Sequence, residues 1–226
     1  MNVKIFIYKS YNELSACELG TLIDSLPEFR RQEVLAYKNA ADQKARAVVY
    51  RLLRDELGYN PQFAYNEFGK PYIMRNDAPE GVWGDGENTT GGNSSSPPPV
   101  AFSFSHSKTI AAAALVYGTA ELGLDVEDEL SERRAAAAAR IMTDAEKRTG
   151  EQAVKFWTLK ESLLKCHGTG FSGGASANLD FSAWAESETF CAYGKYFFSR
   201  AYNGFYLALC AACPFSVTVL FTGLNI

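Results

Sequence analysis

Residues 3–7, "VKIFI", put Val3, Ile5 and Ile7 on one side of an extended chain, the period of a half-buried strand. Helical spacing then takes over. Helices are expected over about 11–24 and 28–38, and most clearly from Asp42 to Leu57, where Ala45, Val48, Val49, Leu52 and Leu53 recur on one side. Gly58 follows at the place where a left-handed residue ends a helix. Short strands are expected near 62–65 and 71–74, parted by the turn chemistry of Gly69 and Pro71. From Gly84 to Pro99, "GDGENTTGGNSSSPPP", almost no apolar side chain is present to offset the entropy of ordering, which predicts a mobile surface loop.

Beyond the loop, "VAFSFS", "IAAAALVYG" and "LGLDVE" read as three short strands of an antiparallel meander. A helical block over about 131–167 follows, with the strong helix former "RRAAAAARIM" and with Thr143 and Glu146 at capping-box spacing. Its last helix, "FWTLKESLLK", stops near Gly168. "TFCAYGKYFF", "GFYLALCAAC" and "SVTVLFTG" are aromatic and β-branched and predict three more strands. Strand, helices and strands thus occur twice, meeting near 118–121. The expected fold is α+β, with two similar halves at 1–117 and 118–226, each an antiparallel sheet with packed helices, although the halves share no obvious sequence repeat.

Composition narrows the function classes. With 226 residues, 47% of them hydrophobic, the chain can build a substantial core. Lys plus Arg is 22 against 26 Asp plus Glu, a net charge of -4, which excludes a generally basic nucleic-acid-binding surface. The opening "MNVKIFIYKS" is not a signal peptide, and no run approaches the roughly 20 apolar residues of a membrane span, so a cytoplasmic, membrane-free protein is expected. The five cysteines do not suggest a disulfide framework. Cys210 and Cys213 lie in an apolar run without a second pair and are expected to be buried and inert.

Four stretches could carry chemistry. Asp125 and Glu127 leave the same face of a strand, where two hard oxygen donors suit Mg²⁺; a hydrated strand end is the other reading. Trp157, Glu161 and Lys165 follow at i, i+4 and i+8 along one helical face, as a surface ion pair or as a buried acid and base in need of partners. Ser105, His106 and Ser107 bring hydroxyls and an imidazole to a strand end, where they could bind an anion, but no nucleophile elbow accompanies them. Lys70 stands between Gly69 and Pro71 as a cation on a stiff turn. The glycines of "GTGFSGG" follow a helix rather than precede one, so they read as a helix stop leading into a loop and not as a phosphate loop.

In order, "FGKPYI", "FSFSHS", "LGLDVE" and "FWTLKESLLKCHGTGF" resemble the motifs G-K-P, F-N-x-S-H-S, G-x-D-x-E and W-S/T-x-K-E-x-x-x-K-x-x-G-x-G of the 4′-phosphopantetheinyl transferase superfamily. The length and the two halves point to its monomeric, surfactin-type branch. The resemblance implies that fold, and transfer of the phosphopantetheine arm of coenzyme A to a serine of an apo acyl or peptidyl carrier protein, leaving adenosine 3′,5′-bisphosphate. It implies Mg²⁺ on Asp125, Glu127 and Glu161, with Glu161, or a water on the ion, taking the serine proton. Lys165 would stabilise the leaving group, Ser105 and His106 would contact phosphates with His106 near the 3′-phosphate, and Lys70 and Pro71 would sit by the adenine and ribose. Trp157 would be packing that fixes Glu161. Asp128 and Glu129 have no counterpart in the motif and are expected to face solvent.

Two departures stand out. Ser103 occupies a place where the family favours Asn, and Ala45 one where it usually has an Arg for the 3′-phosphate, leaving Lys44 and Arg46 as candidate substitutes. A coenzyme A or carrier-binding protein of the same fold without turnover is the alternative, and an unrelated Mg²⁺-dependent phosphohydrolase a more distant one.

Overall fold

The computed structural model describes residues 1–74, 99–118, 121–128, 130–169 and 178–223, with only the backbone of Arg133. Apart from Pro99, the expected surface loop lies outside the described residues, as do the glycines after Thr169. The chain runs β1 (Asn2–Lys9), α1 (Ala16–Asp24), α2 (Glu28–Leu35), α3 (Ala40–Leu57), β2 (Phe63–Tyr65), β3 (Pro71–Ile73), β4 (Val100–His106), β5 (Ile110–Tyr117) and β6 (Leu122–Glu127). It continues through α4 (Glu132–Ile141), α5 (Asp144–Arg148), α6 (Ala153–His167), β7 (Thr189–Ala192), β8 (Lys195–Tyr202), β9 (Phe205–Ala211) and β10 (Ser216–Phe221). The architecture is mixed α+β, with antiparallel sheets and packed helices, as the sequence pattern implies.

One sheet has the order β10-β1-β5-β4 and the other β6-β9-β8-β7, with a separate β2-β3 hairpin. The meander is therefore corrected: β4 and β5 pair antiparallel, but β6 pairs with β9. Both edges of β5 are already taken, by β1 and β4. β10 lies parallel to β1, so the last strand joins the first sheet. "TFCAYGKYFF" is two strands rather than one: Tyr193 and Gly194 both have positive φ (52° and 68°), the turn that a tight antiparallel hairpin requires. The expected helix over 11–24 also breaks, into a 3₁₀ turn at Tyr11–Glu13 and then α1, because Ser15 and Glu18 form a capping box.

Three apolar layers hold these elements. Val48, Val49, Leu52 and Leu53 of α3 pack with Phe102, Ala113 and Leu115 on the outer face of the first sheet. Ile5, Ile7, Ala112 and Ala114 meet Leu124, Val126, Leu207 and Leu209 between the two sheets. Phe156, Leu159 and Leu163 of α6 cover Ala208 and Cys210 on the far side of the second. β5 is buried on both faces, which accounts for its alanine run: small side chains let layers close on either side. Of the two paired cysteines Cys210 is buried as expected, but Cys213 is exposed just past the end of β9.

Candidate active site

The site begins with a close backbone approach. Leu124 and Val126 turn toward the inter-sheet core, so Gly123, Asp125 and Glu127 face α6. A Cβ on Gly123 would lie 2.0 Å from the carbonyl oxygen of Ser162 and 2.3 Å from the nitrogen of Cys166. Glycine is thus what lets α6 lie directly on β6. A second device locks α6: Lys160 and Glu146 are both fully buried and paired at 2.8 Å. Glu146 also accepts from the backbone N–H groups of Thr143 (2.9 Å) and Phe181 (3.0 Å). With Lys160 fixed on the buried side, its neighbour Glu161 lines a cavity of about 360 Å³ together with Trp157 and Lys165.

Asp125 and Glu127 line the same cavity and are nearly buried, at 3% and 4% exposure. Lys165 Nζ donates to Asp125 Oδ1 at 2.6 Å and to Ser105 Oγ at 2.9 Å, and Ser105 Oγ donates to Asp125 Oδ1 at 2.8 Å. Arg134 Nη1 donates to Glu127 Oε1 at 2.9 Å. Burial, and then the neighbouring Asp125, push the Glu127 carboxyl up to about 8 and Glu161 up to about 7. Oδ2 of Asp125 is buried without a hydrogen-bond partner. An orphaned carboxylate oxygen and two acids that resist ionisation are what a divalent cation would relieve, so the donor set fits one. Among the described residues no three such side chains are gathered into a group that could hold an ion as they stand, and Lys165 and Arg134 are paired with Asp125 and Glu127.

The first sheet supplies the opposite wall. Ser103 is buried and its Oγ accepts the backbone N–H of Leu124 at 2.9 Å, tying β4 to β6. Further along β4, His106 Nε2 lies 3.1 Å from Asp42 Oδ1 in the first turn of α3. Burial lowers the His106 pKa, against the opposing pull of Asp42. The G-K-P turn closes the cavity from below. Asn66 Oδ1 accepts from the N–H groups of Phe68 and Lys70, while Asn66 Nδ2 reaches the Gly168 carbonyl at 3.0 Å. Lys70 Nζ donates to the Cys166 carbonyl at 2.8 Å, so its ammonium is spent on the C-terminus of α6, and burial lowers its pKa.

Lys70, Pro71, Ser105, His106, Asp125, Glu127, Glu161 and Lys165, from four separate stretches, therefore share one cavity. Lys44 and Arg46 do not line it: Lys44 Nζ donates to the Asn12 carbonyl at 2.8 Å, and the Arg46 guanidinium stacks 3.9 Å from the Tyr37 ring centroid. Asp128 is corrected from a solvent-facing acid. Its carboxylate accepts from Lys108 N (3.1 Å), Thr109 N (2.6 Å) and Thr109 Oγ1 (2.5 Å), clamping the turn between β4 and β5; Glu129 lies outside the described residues. Sequence reasoning did not single out Arg134, Asn66 or Glu146 as supports of the site. Only Glu146 carried a signal, and that signal was read as helix capping alone.

Residues 121–210 match the family model described as the 4'-phosphopantetheinyl transferase superfamily. Among curated proteins none matches the chain. The matched segment begins at β6 and takes in α4 to α6 and β7 to β9, the part that carries Asp125, Glu127, Glu161 and Lys165, and it points to a transferase of the phosphopantetheinyl kind.

Proposed function

We propose that the chain transfers the 4′-phosphopantetheine group of coenzyme A to a serine of an apo acyl or peptidyl carrier protein, releasing adenosine 3′,5′-bisphosphate, as a Mg²⁺-dependent monomer in the cytoplasm. The observation that carries this reading is the meeting, in one cavity, of four stretches spread from Lys70 to Gly168. Asp125, Glu127 and Glu161 would hold Mg²⁺, which when bound supplies charge neutralisation at the pyrophosphate.

The rest of the chemistry belongs to the chain. Glu161, which lines the cavity beside Lys165, is suited to take the carrier serine's proton as the serine oxygen bonds to the β-phosphorus. The bond from that phosphorus to the bridging oxygen breaks, and the charge leaves on the nucleotide. Lys165, held by Asp125 and Ser105, presents a fixed cation to that charge without giving up a proton. His106, oriented by Asp42, and Ser105 would hold coenzyme A phosphates, and Lys70 and Pro71 would border the nucleoside.

The test is mass spectrometry of apo carriers incubated with the protein, coenzyme A and Mg²⁺. A carrier heavier by the phosphopantetheine group is expected. An unmodified carrier across several carriers would sink the reading, tight coenzyme A or carrier binding then favouring a binding protein of the same fold. Hydrolysis of the coenzyme without transfer would favour a phosphohydrolase. Glu161→Gln is expected to abolish transfer while leaving the circular dichroism spectrum unchanged.

A further inference from the structure

The first turn of α4 sets Arg134 where two cavities meet. It lines the cavity described above and also an adjoining one of about 470 Å³, beside Asn39 and Ser131, the residues that cap α3 and α4. Its side chain is 52% exposed, whereas the Glu127 side chain it grips is 5% exposed. Nη1 faces both carboxylate oxygens, at 2.9 and 3.3 Å. These are the oxygens an ion would take. Two cations at that range from one carboxylate repel each other in a partly desolvated site, so the two compete for it. The two cations already present differ in their freedom: Lys165 is braced from within by Ser105 as well as Asp125, whereas Arg134 is half in solvent with open space on its other side.

We infer that Arg134 stands in for the divalent ion at Glu127 and sets the metal affinity of the centre by competition, its guanidinium leaving for the adjoining cavity as the ion arrives. This rests on the metal reading made above. While the ion is absent the guanidinium offsets part of the cost of burying the Glu127 carboxyl, and in doing so it raises the ion concentration at which the centre fills. Arg134 is on this account a positioning residue that acts through Glu127.

The probe is Mn²⁺ alone, without coenzyme A or carrier, with free Mn²⁺ followed by electron paramagnetic resonance at fixed neutral pH. Arg134→Ala is expected to bind Mn²⁺ roughly three- to tenfold tighter than the unaltered protein, the scale of a charged hydrogen bond discounted for exposure. Arg134→Lys, which keeps the charge but loses the planar fork, is expected to fall between the two and serves where the alanine variant does not fold. In urea unfolding, Arg134→Ala is expected to be less stable than the unaltered protein in chelator and equal to it at saturating Mn²⁺. Affinity unchanged or weakened in a variant, with the unaltered protein binding Mn²⁺ normally, would overturn the competition. Absence of Mn²⁺ binding in every protein would instead sink the metal reading, and this inference with it.

Discussion

The candidate site depends on neighbours that do no chemistry. Gly123 is the sharpest case, because the atoms a methyl group would strike are backbone and cannot swing away. Gly123→Ala is expected to destabilise the fold by about 3 kcal/mol, the upper range of overpacking, read as a shift in the urea midpoint. His106 offers a pH test. Burial places its folded pKa below the unfolded value near 6.5. Its contribution to stability is therefore fully present above about 6.5 and is lost as pH falls through the folded value. The raised carboxyls of Glu127 and Glu161 have the opposite sign, so the comparison must be a difference. The gap in unfolding free energy between the unaltered protein and His106→Gln is expected to shrink between pH 7 and pH 5; a constant gap would show that the imidazole does not titrate against folding.

At the scale of elements, the chemistry-bearing strands and helices were legible because their spacing is tied to their geometry. Asp125 and Glu127 do leave one face of β6, and Trp157, Glu161 and Lys165 do share one face of α6. Partners across elements were not legible. Nothing local to "RRAAAAARIM" says that Arg134 turns back to Glu127, and nothing in "GKP" says that Lys70 satisfies a carbonyl of a helix 96 residues away. The Tyr193-Gly194 turn was hidden for a different reason, since Gly194 and Lys195 are a short break within a run that is aromatic on both sides, and the left-handed conformation of Tyr193 has no signal of its own. The Lys160–Glu146 pair shows how far such hidden contacts matter. Removing either partner leaves a charge in a fully buried place, so Glu146→Gln or Lys160→Met is expected to cost about 3–5 kcal/mol, and their double variant less than the sum. Additive losses in urea unfolding would show that the two residues act separately.

The whole molecule works as one unit because its site is built across both sheets. Ser103 joins β4 to β6, Asp128 clamps the turn before β5, and Lys70 and Asn66 reach the end of α6. The inter-sheet core makes the same demand, since β1 and β5 on one side and β6 and β9 on the other bury each other. β10 tests how far that coupling extends. It belongs to the first sheet by its hydrogen bonds to β1, yet Val217 and Val219 pack against the shared core. Removing residues 215–226 would bare the edge of β1 and thin that core at once. In a Trp83→Phe background the remaining tryptophans, Trp157 and Trp184, both lie in the second half of the chain. If the sheets unfold together, the truncation lowers the midpoint of tryptophan fluorescence and of far-ultraviolet circular dichroism by the same amount. A fluorescence midpoint that stays in place while the dichroism midpoint falls would mean that the second sheet and α6 stand without the first, and that the cavity between them is held by contact rather than by common folding.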